Sequence, residues 1–188
     1  MKPITKYAGI VAGIVLVAFG VGSSVMGVSG RSEVRDALRQ EQIVGTPDMD
    51  SRIANKPVDT GAKAKLFADG MRRHALVATG DQVYSQMGHY LTATGTPTDD
   101  KTAAAIDPKS GKPVENAARN VWVTETALAT ALNTSYFAER VSTFALVMGA
   151  ALLLIGIGFL VLVVRLPIEA AAVRARRGAA KAPVVAAA

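Results

Sequence analysis

Two stretches of 24 residues, Tyr7 to Gly30 and Val141 to Val164, contain no charged side chain. Built as helix at 1.5 Å per residue, each would be about 36 Å long, slightly more than the roughly 30 Å hydrocarbon core of a bilayer. Hydrocarbon offers backbone N–H and C=O groups no water, so a single chain segment crossing it has to be helical. Buried helices of soluble cores are usually shorter and interrupted by polar residues. The two windows therefore predict transmembrane helices over 7–30 and 141–164. The first also lies where a secretory signal peptide would, with Lys2 and Lys6 ahead of it and Val28-Ser29-Gly30 offering small residues near a cleavage point. Its apolar stretch exceeds the roughly 7–15 residues of a signal h-region. If it were cleaved, one span would remain.

The chain has 188 residues, with 21 basic and 15 acidic side chains. This excess is not spread evenly. Between Gly30 and Arg140 the counts are 14 and 14, while the C-terminal tail carries Arg165, Arg174, Arg176, Arg177 and Lys181 against Glu169, and the N-terminus adds Lys2 and Lys6. Lys and Arg close to span ends stay preferentially cytoplasmic, and long intervening segments cross largely regardless of charge. The reading is therefore a cytoplasmic N-terminus at 1–6, an extracytoplasmic domain at 31–140 and a basic, Ala-rich cytoplasmic tail at 165–188. Arg31, Arg35 and Arg39, just beyond the first span, argue for the opposite orientation. The juxtamembrane cluster Arg174-Ala175-Arg176-Arg177 suits contact with anionic lipid, at about 1 kcal/mol per basic residue. The tail has no aromatic side chains for base stacking, so membrane lipid, and no nucleic acid, is the expected partner.

Small residues recur along one face of each window. In the first, Gly9 and Gly13 form a Gly-xxx-Gly step that Gly20, Ser24 and Gly27 extend; in the second, Ala145, Gly149 and Gly156 keep the same kind of spacing. Such residues let helix backbones approach closely where lipid gives no hydrophobic drive for association. They mark faces for packing against each other, against a second copy or against another membrane protein. Glycine is also simply common in transmembrane helices.

The segment between the windows has helical periodicity and no strand-length alternation. Val34, Leu38 and Ile43 continue the first helix outward until Gly45-Thr46-Pro47-Asp48 stops it. Thr60 is a plausible N-cap and Gly80 a plausible stop for a helix with Leu66, Phe67, Met71, Ala75 and Ala78 on its apolar face. Val83, Tyr84, Met87 and Leu91 suggest a second short helix. Thr92 to Pro113 has turn composition and is expected to be a mobile loop. After it, Val114, Ala118, Val121, Leu128, Leu132 and Ser135 predict a helix running into the second span, with Pro113 suiting its start. The expected fold is all-α: two transmembrane helices extended into a helical hairpin stalk with a small helical extracytoplasmic cap.

The sequence gathers little catalytic chemistry. It contains no cysteine, which excludes disulfides, thiolate nucleophiles and Cys-ligated metals. Its two histidines, His74 and His89, lack the His-Glu-x-x-His spacing; a metal-dependent enzyme would need His74, Asp69 or Asp81 to converge. Ser23 and Ser24 lie inside a span, where a back-bonded hydroxyl is the common role. Neither window holds an ionisable group of the kind a proton or ion pathway uses. Trp122 is expected to pack. No cofactor, metal or catalytic residue is assigned.

Val34-Arg35-Asp36-Ala37-Leu38 leading to Ile43, His74-Ala75-Leu76 with Ala78-Thr79-Gly80 and Tyr84, and Thr126-Ala127-Leu128 to Phe137 resemble a group of actinobacterial two-span membrane proteins of unknown function. Some of these are labelled aromatic ring-opening dioxygenases, whose chemistry needs iron held by paired histidines and a carboxylate, a set this sequence does not gather. The resemblance implies residence in the plasma membrane with the central segment outside. Three functional readings remain: a non-enzymatic accessory or structural subunit; an extracytoplasmic sensor or ligand-binding module signalling through its helical stalk; and an enzyme, which would need His74, Asp69 or Asp81 to converge in a pocket with a bound metal.

Overall fold

The computed structural model describes the backbone of residues 3–179 and the side chains of residues 7–165, with those of Ala172 and Val173. It is mostly helical. α1 spans Pro3–Gln40, α2 Gly61–Ala78 and α3 Ala118–Ala179; between α2 and α3 lie one 3-10 turn, Tyr84–Gln86, and two short strands, β1 Tyr90–Leu91 and β2 Pro97–Thr98. The chain forms two compact units, one from the segments up to Ser29 and from Val141 onward, the other from Gly30–Arg140.

The first unit is a pair of apolar helical segments, one from α1 and one from α3. They run antiparallel: Gly9 meets Val163, Gly13 meets Leu160, Gly20 meets Leu153 and Gly27 meets Leu146. Gly9, Gly13, Gly20, Gly27, Gly149 and Gly156 are buried, while Phe19, Met26, Phe144 and Leu154 are about two-thirds or more exposed, at 67%, 73%, 66% and 73%. Small residues inside and large apolar ones outside invert the pattern of a water-soluble core. Both helices are long and apolar enough to cross a membrane.

In the second unit, α2 starts because the Thr60 side chain accepts from the Lys63 amide at 3.3 Å, satisfying one of the orphan donors of the first turn. It ends where Gly80 takes φ +62°, a conformation that costs glycine little. Leu38 from the end of α1, Ala64 and Ala68 from α2, and Ala129 and Leu132 from α3 bury one another with Val58, flanked by Phe67 and Met71. A second cluster joins Ala75, Met87 and Trp122. The indole fills the expected packing role, and its Nε1–H donates to Gln82 O at 2.9 Å and to Thr79 Oγ1 at 3.2 Å. The buried ring thus keeps its one polar atom satisfied.

Several local features differ from the sequence expectation. α1 ends at Gln40, ahead of Gly45-Thr46-Pro47-Asp48, because Gln42 takes φ 51° and residues 43–58 fold back on themselves: Val58 N–H bonds Ile43 O at 2.8 Å and Gly45 N–H bonds Lys56 O at 3.1 Å. This turn buries Ile53, Val58 and Met49. The second short helix is only the 3-10 turn, since Gly88 runs against the Thr98 backbone and the chain continues into β1. The fold is therefore not purely α. β1 pairs antiparallel with β2, Tyr90 opposite Thr98. The segment 92–113 carries β2 and bonds back to the chain around β1: Ala105 N–H bonds Leu91 O, and Leu91 N–H bonds Val114 O. That bonding holds residues 113–115 extended and delays the start of α3 to Ala118, whose amide donates to the Asn116 side chain at 3.1 Å.

Gly45 has no room for a side chain, because a Cβ there would overlap the Ile53 carbonyl oxygen. Gly45→Ala should destabilise the 30–140 unit by about 1–3 kcal/mol. A thermal melt of the full chain in nanodiscs, followed by Trp122 fluorescence, would show a lowered midpoint; an unchanged one would contradict this packing.

Candidate functional site

The first candidate surface is the helix-packing face. Gly20 and Gly149 sit opposite each other: a Cβ at Gly20 would lie 2.9 Å from Gly149 O, and one at Gly149 2.8 Å from Gly20 O. Gly13 and Gly156 repeat the arrangement at 3.3 and 3.0 Å. A Cβ at Gly27 would come within 2.7 Å of Ser142 O. Ser24 lies against Gly149 and donates its hydroxyl proton to Gly20 O at 2.8 Å. Ala145 is half-buried in α3. The glycine faces of the two segments are thus directed at each other.

Of the residues assigned to lipid contact, Arg165 is exposed. Lys181 lies outside the described residues, as do the side chains of Arg174, Arg176 and Arg177.

The 30–140 unit buries two carboxylates, and they are treated differently. Glu139 accepts from Arg35 Nε at 2.8 Å, from Arg31 Nε at 3.2 Å and from the Gly61 amide at 2.6 Å. Gly61 is required there, since a Cβ would press on Tyr136 and on the carboxylate itself. One acid therefore ties α1, the first residue of α2, and α3 together. Burial pushes the Glu139 carboxyl up, but Arg35, the Gly61 amide and Arg31 outweigh it and hold the group below its ordinary value. None of these contacts was legible in the sequence, because Arg31 and Arg35 read as flanking charges of a span and nothing in the spacing singles out Glu139.

Glu125, only 5% exposed, has no cation within ion-pair distance among the described residues; its one hydrogen-bond partner is the Thr126 hydroxyl, at 3.3 Å. It stands between two clefts. The larger, of about 570 Å³, is a mainly apolar groove between α2 and α3, with Met71, Ala75, Ala78 and Val121 on its walls and His74, Asn120 and Thr124 beside them. The smaller cleft includes Arg72, whose guanidinium lies over the Trp122 ring at 5.2 Å.

The histidines do not converge with other ligands. His74 Nε2 meets Asp48 Oδ2 at 2.6 Å and His89 Nδ1 meets Asp99, while Asp69 pairs with Lys65 and Asp81 is exposed. Among the described residues no three His, Asp or Glu side chains are grouped to hold a metal. Comparisons with protein families, with curated proteins and with solved structures found no match.

Gly20→Ile and Gly149→Ile should each weaken the helix pair by about 1–3 kcal/mol or more, read as a lowered midpoint of SDS-induced unfolding. Gly22→Ala and Gly158→Ala, whose Cβ atoms would meet nothing within 4 Å, should stay within about 0.5 kcal/mol of wild type. At the other interface, a carboxylate held below its unfolded value of about 4.3 contributes stability that is complete above that value and is lost as pH falls through the folded one. Glu139→Gln should therefore cost about 1–3 kcal/mol at pH 7, and the gap between variant and wild-type melting temperatures should narrow as the pH is lowered towards 3. A pH-independent gap would contradict the ion-pair role.

Proposed function

We propose that the chain is a two-pass integral membrane protein that acts without catalysis, as an accessory or structural subunit. The observation that carries this reading is the inverted packing of the apolar unit, glycines inward and Phe19, Phe144 and Leu154 outward. Such a surface is stable only when covered by lipid or by other apolar helices. In this reading residues 7–30 and 141–164 are the spans and both termini are cytoplasmic. Residues 31–140 then form a helical stalk and cap outside the plasma membrane, as the resemblance to actinobacterial two-span proteins also suggests. The basic residues Arg165, Arg174, Arg176, Arg177 and Lys181 support this orientation.

The glycine faces are occupied by each other, so a partner protein would meet either the lipid-facing side chains or the 30–140 unit. This narrows the sequence reading, in which those faces were open to any helix. A second reading, an extracytoplasmic ligand-binding module, is favoured by the groove beside Glu125.

Chemical crosslinking in native membranes, followed by isolation of tagged full-length chain and mass spectrometry, tests the first reading. A stoichiometric partner, crosslinked reproducibly and absent when tag and protein are expressed separately, is the expected result. Recovery of this chain alone would remove the accessory-subunit reading and leave the ligand-binding one.

A further inference from the structure

Buried charges in proteins are as a rule paired, because desolvating an ionised carboxylate costs several kcal/mol that only a nearby opposite charge or several hydrogen bonds can offset. Glu139 obeys this rule twice over, with two arginines and a backbone amide. Glu125 does not. It is as deeply buried as Glu139 and has one hydroxyl partner; among the described residues no fully buried side-chain oxygen lacks a partner, so its remaining acceptor capacity faces the clefts it lines. The nearest candidate cation in the smaller cleft, Arg72, is committed to the face of Trp122. The fold thus leaves an acceptor with unused capacity at the side of an apolar groove.

The shape of that groove is informative. Its walls are Met71, Ala75 and Ala78 on α2, and Val121, Thr124 and Glu125 on α3. Both sets follow steps of three and four, so each wall is one face of a helix, and together they form an open trough rather than an enclosed pocket. Alanine supplies much of the lining, which lets a third backbone come close. Lower in the same unit α1 takes the third-helix position, placing Leu38 against Ala64, Ala68, Ala129 and Leu132 with Met71 at the edge. α1 stops at Gln40, and Met71 belongs both to that cluster and to the groove.

We propose that this groove is the docking site for an amphipathic helix of a partner protein, and that one Lys or Arg of that helix pairs with Glu125 while its apolar side chains cover Met71, Ala78 and Val121. The inference rests on the accessory-subunit reading and names its contact surface. Charge complementarity selects the cation, and the two antiparallel helical walls select a helix over a compact ligand, which would be left largely uncovered. The pair formed would be shielded from water by the apolar residues around it, and truncation of such a pair is commonly worth a large loss of affinity.

The test is a photo-crosslinking amino acid placed at Val121 in the full-length chain, in native membranes, with Val123 as a control position on a different cleft. The expected result is a defined adduct from Val121 and not from Val123, mapping by mass spectrometry to a helical segment with a Lys or Arg within one turn of the crosslinked site. Glu125→Gln should reduce the adduct at least 10-fold while leaving the melting temperature unchanged; a purely structural glutamate would instead lower it. Glu125→Lys should abolish the adduct, and exchanging the partner's basic residue for Glu should restore it. An adduct indifferent to Glu125→Gln, an adduct lacking a basic residue, or adduction only to lipid would overturn the proposal. A partner isolated with the wild-type chain but never crosslinked from Val121 would overturn the groove and spare the accessory-subunit reading; absence of any partner would remove both.

Discussion

The contact on which the apolar unit depends is glycine against glycine. In the proposed membrane setting, two segments without a charged residue gain almost nothing from leaving lipid for one another, because a leucine is as comfortable against an acyl chain as against a second leucine. What remains is close packing, and it needs backbones near enough for many weak contacts to add up. Gly13 with Gly156 and Gly20 with Gly149 supply that proximity, each glycine leaving its neighbour's carbonyl within about 3 Å of where a side chain would begin. The seven-residue step from Gly13 to Gly20 to Gly27, matched by Gly149 to Gly156, returns each helix to nearly the same face. The bulky residues are left to face outward.

The 30–140 unit solves a different problem. It has no cysteine to staple it and only short apolar runs from which to build a core. It combines small clusters around Leu38 and Trp122 with a polar tie in which Glu139 gathers two arginines and the first amide of α2. Removing one partner of a satisfied buried charge of this kind is costly, because it strands the carboxylate. Glu125, on the same helix, shows a different state: it has one hydroxyl partner and lines two clefts. The contrast between these two residues separates what holds the unit together from what it has left to offer.

Much of the helical framework was legible from residue type and spacing. The charge-free windows fall within α1 and α3, Thr60 caps α2, and Gly80 takes the left-handed backbone after it. The illegible parts depend on long-range contact. Ile53 and Val58 sit in a segment rich in turn residues, and only its fold-back onto Ile43 buries them. Val83 to Leu91 has a helical spacing of apolar residues, but Gly88 against Thr98 and β1 against β2 override that local preference. The same hairpin captures Val114 and delays α3. Glycines at helical spacing identified a packing face without saying what would fill it. The pairing of Arg31 and Arg35 with Glu139 bridges more than a hundred residues of sequence, and no periodicity within one helix could have signalled it.

In the proposed topology the two apolar segments cross the membrane and residues 31–140 lie on its outer side. Because the chain has no cysteine of its own, single cysteines can report this without background. Ser110→Cys in the central segment and Ala186→Cys near the C-terminus, each treated with a membrane-impermeant maleimide on intact cells, are the most direct measurement. The account predicts labelling of the cysteine at 110 in intact cells and of that at 186 only after permeabilisation. Labelling at 186 but not at 110 in intact cells would reverse the topology, and release of the protein from membranes by alkaline carbonate would contradict the spans altogether.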